Sequence, residues 1–166
     1  MKRTHYLAAA VLALAVAGGA WLTLGKREAA PAVDYVLLDG SRHNIADLKG
    51  KVVLVNFWAT SCVTCVKEMP QMVQTYEKYR GRGLDFVAVA MSYDQPEFVQ
   101  RFAQSRQLPF KVSIDRSGEI AQRFGDVKLT PTTYLLNKRG EVVKRYLGEP
   151  DFAALDKLLE ELLAEA

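Results

Sequence analysis

The run Val52-Val-Leu-Val-Asn-Phe-Trp-Ala-Thr-Ser-Cys-Val-Thr-Cys65 decides how the rest of the chain is read. Its first seven residues are aliphatic or aromatic apart from Asn56, with no alternation, which is the pattern of a strand covered on both faces. A short turn then leads to Cys62 and Cys65, and Lys67, Glu68, Met72 and Tyr76 come next in a helical pattern. A helix is expected from near Cys62 to about residue 80, capped by Thr60 or Ser61, bent at Pro70 and ended by Gly81 and Gly83. Two thiols separated by two residues at the first turn of a helix can close a small disulfide ring. The unpaired amides and dipole of that turn stabilise the thiolate of the first, Cys62, while Cys65 sits one turn inward. These are the only two cysteines of the chain, so none is left for a separate structural bridge. A zinc site needs about four ligands, and the two histidines, His5 and His43, cannot complete one within the chain.

Working outward, residues 35–38 and 42–45 read as a β-hairpin turning at Asp39-Gly40, ahead of the main strand at 51–57. Residues 84–91 form a second near-continuous apolar strand, and a helix over 96–107 is expected to turn Phe98, Val99 and Phe102 inward. A third strand at 110–114 and a short helix at 119–124 precede Thr130-Pro131-Thr132, which opens a strand at 133–136. That strand turns at 137–140 into another at 141–146, and leucines at helical spacing over 151–166 make a closing helix for one sheet face. Strands alternating with helices and closed by an antiparallel hairpin predict an α/β fold with a mixed central sheet flanked by helices.

The chain is 49% apolar and 25% charged over 166 residues, enough for one compact domain with a short appendage. Its net charge of +3 comes wholly from Lys2, Arg3, Lys26 and Arg27 set against Glu28; residues 29–166 carry 18 basic and 18 acidic side chains. A neutral folded part excludes a nucleic-acid partner as the default reading. Residues 6–24 are an uncharged run of 19, rich in Ala, Leu and Val, spanning about 28 Å as a helix. It is either a cleaved signal peptide or an uncleaved anchor, and both imply export of the chain beyond it. The expected organisation is 1–25 signal or anchor, 26–33 tether and 34–166 folded domain. It would stand on the periplasmic side of the inner membrane, or be soluble there if cleaved.

The residues Asn56-Phe57-Trp58-Ala59-Thr60-Ser61-Cys62-Val63-Thr64-Cys65, Lys67-Glu68-Met69-Pro70 and the distant Thr130-Pro131-Thr132 resemble the membrane-anchored thiol:disulfide reductases of the TlpA/ResA/CcmG type. The resemblance covers about residues 34–166. It implies a thioredoxin-like fold with an added N-terminal β-hairpin and a redox-active Cys62-Cys65 pair without a cofactor or metal. It also implies a cis proline at Pro131, with the Thr130 backbone facing the substrate. Trp58, at the strand end four residues before Cys62, is read as shaping the substrate rim, with a place in the core as the other reading. Glu68 stands where the family has a carboxylate held to move the proton of the buried cysteine, and Asn56 stands where thioredoxin has an acid. Glu68 as an ordinary solvated side chain is the other reading of that position. Val63 and Thr64 lack the histidine of strongly oxidising relatives, which favours a reductant. Leu129 and Ser61 depart from the glycine and tryptophan that the family often has.

By the same resemblance the partners are disulfide-bearing exported proteins, such as apo-cytochrome c in cytochrome c maturation or copper-site cysteines. The electron donor would be a membrane thiol transporter, and the protein a monomer. Two other classes stay open. A redoxin-type peroxidase wants threonine three residues before its reactive cysteine, where Ala59 stands. A non-enzymatic copper carrier wants three residues between its cysteines and a distant third ligand.

Overall fold

The computed structural model describes residues 27–165, so the expected signal or anchor at 6–24 lies outside the described residues. Among the described residues seven strands and four α-helices occur in the order β1 Asp34–Val36, β2 Arg42–Asn44, β3 Val52–Trp58, α1 Val63–Tyr79, β4 Leu84–Ala90, α2 Pro96–Ser105, β5 Lys111–Ile114, α3 Glu119–Arg123, β6 Thr132–Leu136, β7 Val142–Leu147 and α4 Phe152–Ala164. Five strands form the main sheet in the order β5-β4-β3-β6-β7; β3 runs parallel to β4 and β4 to β5, while β6 is antiparallel to both of its neighbours, β3 and β7. The result is the α/β fold with a mixed central sheet that the sequence pattern predicts, in the thioredoxin-like form that the resemblance implies.

β3 has no polar face because both of its faces are core. Val52, Leu54 and Trp58 pack with Cys65, Met69, Met72 and Tyr79 of α1, Val99 of α2 and Leu155 and Leu159 of α4. Val53, Val55 and Phe57 pack on the other side with Tyr35, Ile45, Leu48, Ile120 and Phe124. Each fully buried side chain of this size contributes about 1.5–3 kcal/mol, so β3 is the most heavily anchored strand of the sheet. Asn56 shares the α1 face with Leu54 and Trp58, and this alternation aims its amide at the helix that carries the cysteines.

β1 and β2 form the expected hairpin, in register Tyr35 to His43, with Gly40 at φ +87° in the turn. The conformation there is left-handed, which glycine adopts without strain. The hairpin covers the second core through Tyr35 and bridges to the edge strand β5 at Ser113. At the other edge, Ala29 bridges to Glu141; the Val142 amide donates to Glu28 and the Ala30 amide to Gly140. Residues 28–30 are therefore zipped onto the β6–β7 turn, so the expected tether at 26–33 includes residues bonded to the sheet.

Three local expectations differ from the structure. Phe98 is 48% exposed, because Val99 alone fills the inward position of α2 with Phe102 half-buried beside it. Trp58 is fully buried and lies against the Phe102 ring at 5.1 Å between centroids. Its placement on the substrate rim is thus corrected: as the last residue of a strand covered on both sides, it is core beneath the site. The cap of α1 is neither Thr60 nor Ser61 but Cys62 itself.

Candidate active site

Cys62 and Cys65 are joined in a disulfide, with their Cα atoms 5.2 Å apart. Cys62 caps α1 in extended backbone conformation, and its Sγ accepts the Cys65 amide at 3.2 Å. An orphan amide of the first turn is therefore aimed at this sulfur, the arrangement that stabilises negative charge on it. Cys65 is fully buried and Cys62 half-buried, which sorts the two sulfurs into an inner and an outer one.

Thr60 fails to cap α1 because it is used elsewhere. Its backbone amide and hydroxyl both donate to the Asp94 carboxylate, the hydroxyl at 2.6 Å. Asp94 is buried in the loop after β4 and ties that loop to the segment leading into Cys62. The adjacent Tyr93 hydroxyl lies 3.3 Å from Thr130 Oγ1, so one short loop touches both the cysteine loop and the proline loop. Sequence reasoning did not single out Asp94. The available signal was an acid just past the C-terminal end of a parallel strand, where loops of such sheets gather.

The Thr130-Pro131 peptide bond is cis, and Pro131 is buried. The Pro131 carbonyl accepts the Gly148 amide at 2.8 Å, and the Thr132 hydroxyl donates to the Leu129 carbonyl at 2.7 Å. Among the described residues neither backbone group of Thr130 has a hydrogen-bond partner. β6 brings this loop to the dithiol, since Thr132 pairs with Phe57 at the end of β3 from which the chain runs on to Cys62.

Glu68 is buried, 1% exposed, one turn beyond Cys65 on the same face of α1. Asn56 Nδ2 donates to Glu68 Oε1 at 3.2 Å and to Thr133 Oγ1 at 2.9 Å, while Glu68 Oε2 and Asn56 Oδ1 have no partner among the described residues. Burial pushes the Glu68 carboxyl up from 4.5 to about 7; the Asn56 hydrogen bond opposes this and the charge of Glu149 adds to it. Glu149 is itself paired with Lys67 at 3.1 Å. The solvated reading of Glu68 is thereby overturned, because β3 and β6 enclose it from the side that sequence cannot show. A buried carboxyl poised near neutrality can take or give a proton to a group on its own helix face. The structure thus brings Cys62, Cys65, Glu68, Thr130 and Pro131 to one end of the sheet, with Trp58 below them. No cluster of three or more His, Cys, Asp or Glu side chains suited to a metal ion occurs among the described residues.

A family model described as Redoxin matches residues 25–159. The thiol-disulfide oxidoreductase ResA of Bacillus cereus (strain ATCC 10987 / NRS 248) is 34% identical over 132 residues, covering 72% of this chain and 75% of that one. A protein of Neisseria meningitidis described as a candidate thioredoxin superposes with a TM-score of 0.78 at 37% identity, covering 85% of this chain and 93% of that one. A thiol:disulfide interchange protein of the thioredoxin family from Chlorobium tepidum TLS gives 0.76 at 28% identity, covering 84% and 99%.

Proposed function

Because this chain belongs to the Redoxin family and is a ResA-like thiol:disulfide oxidoreductase of thioredoxin fold, we propose that Cys62 is its attacking thiol, Cys65 its resolving thiol and Glu68 the group that takes up the proton of Cys65. Its substrates are disulfide-containing proteins. The observation that carries the assignment of roles is the disulfide itself, with one sulfur at the helix cap receiving an amide and the other wholly buried.

In the reduced enzyme the Cys62 thiolate attacks one sulfur of a substrate disulfide. A Cys62–substrate bond forms, the substrate S–S bond breaks, and the departing sulfur takes up a proton. Cys65 then gives its proton to the Glu68 carboxylate and attacks Cys62 Sγ. The Cys62–Cys65 bond forms, the bond between Cys62 and the substrate breaks, and the second substrate sulfur leaves as a thiolate that takes up a proton from solvent. Two electrons have moved from the dithiol to the substrate. Glu68 suits this exchange because its carboxyl is held near 7, so both of its forms are populated at neutral pH. The unpaired backbone groups of Thr130 beside Pro131 are suited to an extended substrate segment, by the same pairing that adds a strand to a sheet edge.

The domain stands, in this reading, on the periplasmic side of the inner membrane, held by residues 6–24 or released if they are cleaved, and works as a monomer. Its targets are disulfides of exported proteins, apo-cytochrome c or copper-site cysteines among them, and a membrane thiol transporter restores the dithiol. Among the described residues no helix is long and apolar enough to cross a membrane. The test is trapping: Cys65→Ser accumulates a mixed disulfide on Cys62 that reducing agent releases, and Cys62→Ala neither traps nor turns over. A Cys62→Ala protein as active as the native one would refute the assignment.

A further inference from the structure

We propose that the surface around Cys62 selects disulfides whose neighbouring side chains are apolar, and that Leu129 and Tyr93 are the residues that make the selection. This rests on the reading of Cys62 as the attacking thiol and extends it to the substrate class.

Among the described residues six large hydrophobic side chains stand exposed: Val36, Val63, Tyr93, Phe98, Leu129 and Leu147. Scattered singly, such residues need no explanation. Four of them gather at one end of the sheet, however, the end where the dithiol stands. Val63 comes directly after Cys62 and is 83% exposed. Leu129, 63% exposed, precedes Thr130, and its carbonyl is fixed by the Thr132 hydroxyl. Tyr93, 58% exposed, is tied to Thr130 through its hydroxyl, and Leu147 is in register with Thr132 on the neighbouring strand.

Tyr93 and Leu129 are tied into the proline loop, Tyr93 through the Thr130 hydroxyl and Leu129 through its carbonyl, so their exposure belongs to the working surface. The charges beside them are already paired. Lys67 meets Glu149 at 3.1 Å, and Lys128 meets Asp126 at 2.9 Å. No unpaired charge among these four groups favours an acidic or a basic partner, and the exposed apolar side chains beside them supply the contact. The occupant that fits is a polypeptide segment extended along Thr130 with its sulfur on Cys62. An aliphatic or aromatic residue next to its cysteine would cover Leu129 and the Tyr93 ring. Burying most of one such side chain favours it about tenfold over a small polar one, equivalent to roughly 1.4 kcal/mol.

The test uses two synthetic peptides, each with one disulfide, that differ only in carrying leucine or serine beside both cysteines. Their kcat/KM values with the reduced full-length protein are each divided by the rate of reduction by dithiothreitol, which removes differences in intrinsic disulfide reactivity. The native protein is expected to prefer the leucine peptide about tenfold. The double variant Leu129→Ser with Tyr93→Ser lowers that ratio to about threefold or less, while Val36→Ser, on the remote hairpin, retains it. A native ratio within about twofold of unity overturns the inference, as does a double variant that keeps the full preference. If the reduced protein cleaves neither peptide nor hydroxyethyl disulfide, the dithiol reading itself fails and the selection falls with it.

Discussion

Replacing Glu68 by glutamine isolates what it costs this fold to enclose a charge. The carboxyl is 1% exposed, and burial lifts it from 4.5 to about 7 against the pull of one hydrogen bond from Asn56. At about 1.4 kcal/mol per pH unit, that displacement is worth roughly 3 kcal/mol. The sign is set by proton binding. Below pH 4.5 the folded and unfolded chains both hold the proton and nothing is lost. Between 4.5 and about 7 the unfolded chain releases it while the folded chain retains it, so stability falls as pH rises. Above 7 both forms are ionised and the full penalty persists. Glutamine is neutral throughout and keeps an oxygen for Asn56 Nδ2. Urea unfolding of the oxidised native protein and Glu68→Gln at a series of pH values should therefore give curves that coincide near pH 4. They should separate by about 2–3 kcal/mol in favour of the variant at pH 8.5. The same variant should resolve mixed disulfides more slowly at neutral pH and lose the step in its rate profile near 7. Stability curves that run parallel across the whole range would refute the reasoning, because the carboxyl would then titrate alike in both states.

Two further substitutions test the packing that holds the site. Phe86, fully buried, stacks on Phe110 with ring centroids 4.2 Å apart; Phe86→Ala should cost about 3–5 kcal/mol, read as a fall in the urea midpoint without a change of slope. Asp151 caps α4 by accepting the amides of Ala153 and Ala154 at 3.0 and 3.1 Å, so Asp151→Ala should cost about 1 kcal/mol and lower the melting temperature by a few degrees.

The strands β3 and β4 were legible because each is a run of apolar residues with no alternation, a signature that only a doubly covered strand produces. The cysteine pair and the proline were legible together as a motif. What stayed hidden depends on contacts far along the chain. Thr60 is a better cap than cysteine by residue type, yet Asp94, 34 residues on, takes both of its donors. Glu68 carries no local mark of burial, because the residues that surround it include Asn56 from β3 and Thr133 from β6, which bond to each other across 77 positions. Trp58 and Phe98 were misjudged for a related reason: periodicity gives a face, but the neighbouring layer decides how far that face is covered.

The zipper of residues 28–30 onto the β6–β7 turn fixes a direction for the whole molecule. Glu141 and Val142, which receive it, lie at the pole of the sheet where β3 begins, whereas the sulfurs stand beyond its far end, about 20 Å away along seven residues of strand. The polypeptide thus enters the domain from behind. Residues 28–30 and the dithiol thus mark opposite poles of the domain.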